Sequence, residues 1–286
     1  MLEIVHDLAP DAQLYFATAN TGITVFAQNI RDLRTAGCDI IVDDVFYFVE
    51  TPFQDGQTAP SNTNGGVVTQ AVNDVTAAGA MYFSSAGNSG NVDQGTAGAW
   101  EGDFVDGGPA VTPLPSPTPA LRLHNFGGQN FDVITVASTN PVGLYWSDPL
   151  GGSANDYDLF RLNAAGTAVS CQFHKHPKRH AGSIRASLTS GWATCYRQKP
   201  TAANRFLHLN TNRGVLSIST PGQTHGHSQA AAAFSCAATP AVGPFPNPFS
   251  SANITENFTS DGPRRVFYQG DGTPYTPGDV SSTGVL

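Results

Sequence analysis

The chain has 286 residues, with 14 Lys and Arg against 22 Asp and Glu and a net charge of −8. A hydrophobic share of 40% excludes wholesale disorder, and an acidic balance without a long basic run excludes nucleic acid as the main partner. No apolar stretch is long enough to form a membrane-spanning helix. Only 13% of residues are charged, while 30 are Gly and 20 Pro, a turn-rich, low-charge composition that reads as that of a secreted protein.

MLEIVHDLAPDA (1–12) reads as the end of an amphipathic helix running into a turn, and it lacks the basic and long apolar regions of a signal peptide. Gln13–Ala19 is a short β-prone run. Ile23, Phe26, Ala27, Ile30 and Leu33 then fall at helical spacing, with Gly37 where a C-cap belongs. Cys38–Val45 predicts a buried strand, and Val67, Val68, Ala71, Val72 and Val75 predict a second helix closed by Gly79. Ala80–Asn88 predicts a third strand ending in glycine turns. This alternation implies right-handed crossovers and a parallel α/β sheet covered on both faces. Pro109–Arg122 is proline-rich. Beyond it FDVITVAS, VGLYWSD, DYDLFRLN, RFLHLN and VLSIST are short strands with no helical stripe between them, the pattern of a β-sandwich or jelly roll. SQAAAAFSCAATPA predicts a buried strand of small residues, and RRVFYQGDGTPYT a hairpin. The expected organisation is an α/β core over 1–105, a connector over 106–122, a β-sandwich insert over 123–221 and the rest of the core over 222–286.

SSAGNSG (Ser84–Gly90) is the most informative site. It presents the Asn88 amide at the carboxyl edge of a parallel sheet, where open α/β sheets place their sites and where an N–H can donate to a developing oxyanion. Taken with EIVHDLAPDAQLYFATA and FTSDGP (Phe258–Pro263), it resembles the subtilases, the subtilisin-like serine peptidases. One subgroup, which bridges to the sedolisin-like peptidases, is similar almost end to end. Trp146–Phe160 here reads WSDPLGGSANDYDLF, as in that subgroup's inserted β-domain.

The resemblance implies a subtilisin-like doubly wound parallel sheet, an extracellular enzyme and a peptide or protein substrate. It makes Asn88 the oxyanion residue. It places the catalytic Asp and the His or Glu base before Met1, and the GTSxAxP nucleophile segment beyond Leu286. The expectation is an incomplete, inactive portion of a peptidase; the alternative is a non-catalytic binding or scaffold module on the same fold.

Other candidates carry less. His6 and Asp7 precede the AP turn and are a poor substitute for a base. Asp43 and Asp44 close a strand at the active edge, where they line a cleft, join an acid network, bind calcium or cap a turn. Asn155, Asp156 and Asp158 are candidate calcium ligands or parts of a structural turn, and no cofactor is otherwise implied. HGHSQA resembles a GxSxG elbow with Ser228 as an esterase nucleophile, but Ala230 stands at its fifth position and Pro221 and Gly222 interrupt the required strand.

CQFHKHPKRH invites a metal or anion reading. Between Cys171 and Gln198, however, lie 5 of the 14 basic residues and no acid, against 9 basic and 22 acidic residues elsewhere. Codons for Gln172 to Arg185 can be chosen so that reading one base later gives SSTNTQNGTQDPYE, the peptide the resemblance implies there. The segment 171–198 is therefore expected to be out of frame, and SSTGVL at the C-terminus carries a weaker sign of the same kind.

Overall fold

The computed structural model describes residues 2–59, 63–110, 114, 121–163, 165, 167–173, 183–187, 193–198, 202–240 and 253–276. It is a mixed α/β fold with parallel and antiparallel sheets and few helices. Among the described residues no helix is long and apolar enough to cross a membrane.

The first part runs α1 (Leu2–Leu8), α2 (Ile23–Thr35), β1 (Ile40–Asp43), β2 (Gln54–Asp55), α3 (Val67–Ala77) and β3 (Met81–Ser85). Both predicted glycine caps form. Cys38 N donates to Leu33 O while Gly37, at φ 100°, donates to Arg34 O; Ala80 N and Gly79, at φ 93°, repeat the pattern on Val75 O and Thr76 O. These paired bonds satisfy the last carbonyls of each helix at a residue without a Cβ. Phe26, Ala27 and Ile30 of α2 and Val68, Ala71, Val72 and Val75 of α3 are buried together with Ile41 of β1 and Tyr82 of β3. The sheet has the order β1-β3-β15, with β15 at Ala233–Cys236, and both pairings are parallel.

Three expectations are corrected here. Gln13–Ala19 forms no strand: Tyr15 and Phe16 are exposed, and no strand pairs with the outer edge of β1 among the described residues. A β-prone run becomes a strand only when a neighbour takes its backbone groups. Among the described residues the helices α2 and α3 cover one face of the parallel sheet and none covers the other. Ile40, Val42, Met81 and Phe234 point the other way and are 47–56% exposed. The Ala233–Cys236 strand is likewise not buried, because it is an edge strand whose Phe234 finds only a stacked partner, Phe83, at 4.8 Å.

Between these parts lie β4 (Ala99–Asp103), β5 (Asp106–Pro109), β6 (Arg122–His124), β7 (Asp132–Val136), β8 (Pro141–Trp146), β9 (Tyr157–Leu162), β10 (Val169–Phe173), β11 (Ser183–Ser187), β12 (Ala193–Gln198), β13 (Phe206–Asn210) and β14 (Val215–Leu216). They form a four-stranded sheet, β11-β8-β13-β4, and a seven-stranded one along β10-β9-β12-β6-β5, with β7 joining β12 to β14. Alternation along the strands places the core: Trp100, Leu144, Trp146, Leu207 and Leu209 of the first sheet share one cluster with Ile134, Tyr157, Leu159 and Leu216 of the second. Phe160 and Leu162, facing the opposite way along β9, join Leu121 and Leu123 in a separate cluster. Strands pair through much of 171–198, while the HKHPKRH run and the side chains of that stretch lie outside the described residues.

After β15, β16 (Tyr268–Gln269) pairs parallel with β2, and Tyr268 bridges Pro274 in the predicted hairpin.

Candidate active site

The carboxyl ends of β1 and β3 open into a polar cleft of about 260 Å³. Its walls include Asp44 and Phe46 after β1, Gly87–Ser89 after β3, Ser260, and Asn140 and Arg213 from the antiparallel portion. The SSAGNSG and FTSDGP segments meet here. Ser89 N donates to Ser260 Oγ at 2.8 Å, Ser260 N to Gly87 O at 3.0 Å and Gly90 N to Phe258 O at 2.9 Å. Asp261 Oδ2 accepts from Val92 N, and its Oδ1 accepts from Gly222 N and Gln223 N. Gly90 sits at φ 79°, and a Cβ there would lie 2.0 Å from Thr96 O, so the loop closes this tightly only with glycine. Asn88, exposed at the tip, has a carboxamide without a hydrogen bond among the described residues, so its N–H groups are free to meet a ligand.

Asp43 and Asp44 part company, because successive side chains at a strand end alternate. Asp44 lines the cleft, while the Asp43 side chain is buried. Asp43 also caps its own turn, accepting from Val45 N at 3.1 Å. Its carboxylate accepts from Tyr82 Oη at 2.5 Å, Ser84 Oγ at 2.9 Å and His227 Nε2 at 3.2 Å. On the other side of the ring, His227 Nδ1 lies 2.8 Å from Glu50 Oε2, and both residues are fully buried. Gly226, at φ 75°, permits this approach: a Cβ there would lie 2.8 Å from the Glu50 side chain.

Burial alone would neutralise the imidazole. The Glu50 charge and hydrogen bonds to both carboxylates outweigh it and hold His227 protonated, with a pKa of about 10. Burial likewise works against the Asp43 carboxylate, but His227, Tyr82 and Ser84 overcome it and lower the pKa. An imidazolium thus lies buried between two carboxylates, one of them next in sequence to the cleft residue Asp44. Neither His227 nor Glu50 was singled out from sequence. The available signals were a lone acid inside the apolar run FYFVETPF and a histidine between Gly226 and Ser228.

Ser228 is buried in a 3₁₀ turn, Gly226–Gln229, with its Oγ 3.1 Å from Ser84 Oγ. The neighbouring His227 presents both nitrogens to carboxylates, so it offers Ser228 no lone pair. The chain enters this turn through extended His225 and leaves it towards β15, without the long helix of a nucleophile elbow. His6 and Asp7 lie on exposed α1 and are not among the residues lining the cleft.

The WSDPLGGSAND segment is accounted for by a buried hub at Asp148. Its carboxylate accepts from Trp146 Nε1 at 3.0 Å, Ser153 Oγ at 2.7 Å, Asn155 Nδ2 at 2.8 Å and Arg205 Nε at 2.6 Å. The Asn155 oxygen accepts from Ala203 N at 2.7 Å. Asn155 is therefore engaged at both ends by protein, Asp158 is buried in β9, and no group of three or more His, Cys, Asp or Glu suited to a metal occurs among the described residues. Asn155→Ala should lower the unfolding free energy by about 1–3 kcal/mol, the cost of leaving buried polar partners unmatched. Thermal melts of both forms should show that loss.

No protein-family profile matches the chain, and no curated protein matches it. Among solved structures, two chains match. One is the CspB protease of Clostridium perfringens, with 9% identity and a TM-score of 0.40 over 93% of this chain and 57% of that one. The chain thus spans less than two thirds of that protease's length.

Proposed function

We propose that this chain supplies the substrate cleft and oxyanion donor of a subtilisin-like serine peptidase acting on peptides outside the cell. In this reading the parallel sheet is the peptidase core and the antiparallel sheets are its inserted β-sandwich. The observation that carries it is Asn88: an uncommitted carboxamide at the carboxyl end of the central parallel strand, fixed by the Phe258–Pro263 segment. Acyl transfer also needs a nucleophile and a base within hydrogen-bond reach. Among the described residues none of the cleft serines, Ser85, Ser89 and Ser260, is hydrogen-bonded to a histidine.

The chain alone is expected to bind extended peptides in the cleft and turn none over. Two-dimensional NMR of the ¹⁵N-labelled chain titrated with acetylated, amidated hexapeptides tests binding; the Gly87–Ser89 amides and the Asn88 side chain should shift. Release of product from a fluorogenic peptide tests turnover. Activity abolished by Ser228→Ala would replace this reading with the esterase one. The absence of shifts at the Asn88 loop would remove the cleft as a peptide site.

A further inference from the structure

We infer that Arg213 is a specificity residue that receives an acidic side chain of the bound peptide; this rests on the peptide-cleft reading. Arg213 is the one cation among the residues lining the cleft. It is exposed, and among the described residues its guanidinium has neither an ion pair nor a hydrogen bond, so the full fork of donors is available to a carboxylate.

Its position is not that of a drifting surface arginine. Asn212 and Arg213, at φ 50° and 88°, are the non-glycine residues with positive φ among the described residues, although Gly214 follows them. Residues with a Cβ are held in this region only where the surroundings over-determine them, and such strain collects at ligand-binding sites. Here the restraints are visible. Asn212 is buried; its N–H donates to Asn210 Oδ1 at 2.6 Å, and its side chain donates to Pro141 O. Its carbonyl accepts from Ser138 Oγ at 2.7 Å and Asn140 Nδ2 at 2.9 Å.

The same turn is tied to the oxyanion loop. Thr211 N and Oγ1 both donate to Gly98 O at 2.8 Å, and Gly98 N donates to Ser89 O at 3.2 Å. A short hydrogen-bonded chain therefore links the residue before the strained pair to the residue after Asn88. The backbone of the turn that carries Arg213 is thus tied to the Asn88 loop, and its side chain stays free to reach a ligand in the cleft. This is the geometry of a subsite that reads one side chain of the substrate, with a carboxylate as the complementary group.

The test uses hexapeptides capped at both ends, with a single Glu scanned through the positions and matched Gln versions, titrated into the full-length chain and read by the NMR shifts at the Asn88 loop. At low salt one Glu register should bind about tenfold more tightly than its Gln partner, as expected for a charge-assisted bidentate contact. Arg213→Gln should erase the preference, while Arg213→Lys should keep part of it. Arg213→Gly, which relieves the backbone strain, should keep the fold and lose the preference. Equal binding of Glu and Gln peptides, with the Asn88 loop still shifting, would overturn the role of Arg213 and leave the peptide cleft standing. A Glu preference that survives Arg213→Gln would also overturn it. No shift with any peptide would bring down the cleft itself.

Discussion

His227→Ala should lower the unfolding free energy by about 3–5 kcal/mol, the usual consequence of removing one partner from a buried ionic group. The reason is what remains. Glu50 and Asp43 approach the ring from opposite sides at 2.8 and 3.2 Å, and without the imidazolium two buried carboxylates face a cavity. Urea unfolding of wild type and variant measures the loss.

The pH dependence gives a second readout of the same residue. The His227 pKa is about 10 in the folded state against 6.5 ordinarily, so its contribution is complete below pH 6.5 and fades as pH rises towards 10. His124, His208 and His225 behave oppositely. Burial lowers each to about 3, so they favour the folded state above pH 6.5 and oppose it as pH falls. Asp132, raised by burial to about 6, offsets part of that acid limb. Stability should therefore peak near neutral pH, and His227→Gln should flatten the alkaline limb while also raising the Asp43 pKa and so altering the acid limb. An unchanged alkaline limb in that variant would show that His227 is not the charged centre.

His208 provides the internal contrast. It lies 2.7 Å from Glu101, and there burial raises the carboxyl well above its ordinary range and lowers the histidine to about 3. At His227 the Glu50 charge and the hydrogen bonds to Asp43 and Glu50 act against the same burial and raise the imidazole.

The second large effect concerns catalysis. If the proposed peptidase reading holds, Asn88→Ala in a catalytically active form should lower kcat by about 10²–10³, the range for losing one oxyanion donor. On the proposed peptidase reading KM should change little, because an oxyanion donor meets charge that exists only after attack. The exposed side chain makes no hydrogen bond among the described residues, so melting temperature should barely move. Steady-state kinetics on the paired forms separate the two effects. Equal losses in stability and turnover would make Asn88 a structural residue of its loop.

The elements legible from the sequence were those written locally. The helical stripes of α2 and α3, their glycine caps and the alternation in β7, β8, β9 and β13 each depend on neighbours a few positions away. The meeting of SSAGNSG with FTSDGP was accessible only through the resemblance that linked them. What escaped depends on distant partners. Whether Gln13–Ala19 pairs, and whether Ile40 and Val42 are covered, is decided by what lies alongside them. Glu50 and His227 are far apart in the chain, and neither has an informative sequence neighbourhood. Arg213 sits in TNRG, a turn sequence that does not reveal that Asn and Arg, and not the glycine beside them, take the strained conformation.

The place where the chain enters and leaves its antiparallel portion has a consequence for the order of folding. Leu216 N donates to Ala97 O, Thr220 N to Ala99 O, and Glu101 N to Thr220 Oγ1, so the two ends of a long stretch of sequence lie stitched side by side. The parallel pairing of β3 with β15 spans that whole stretch. Closing a loop costs about 0.6 kcal/mol more for each doubling of its length, and pairing over long separations is slow. Once the antiparallel strands have joined, β15 lies only a short walk from β3. The antiparallel portion should thus form first and the parallel sheet last, so a mutation that weakens the first slows arrival of the cleft even where it touches no cleft residue.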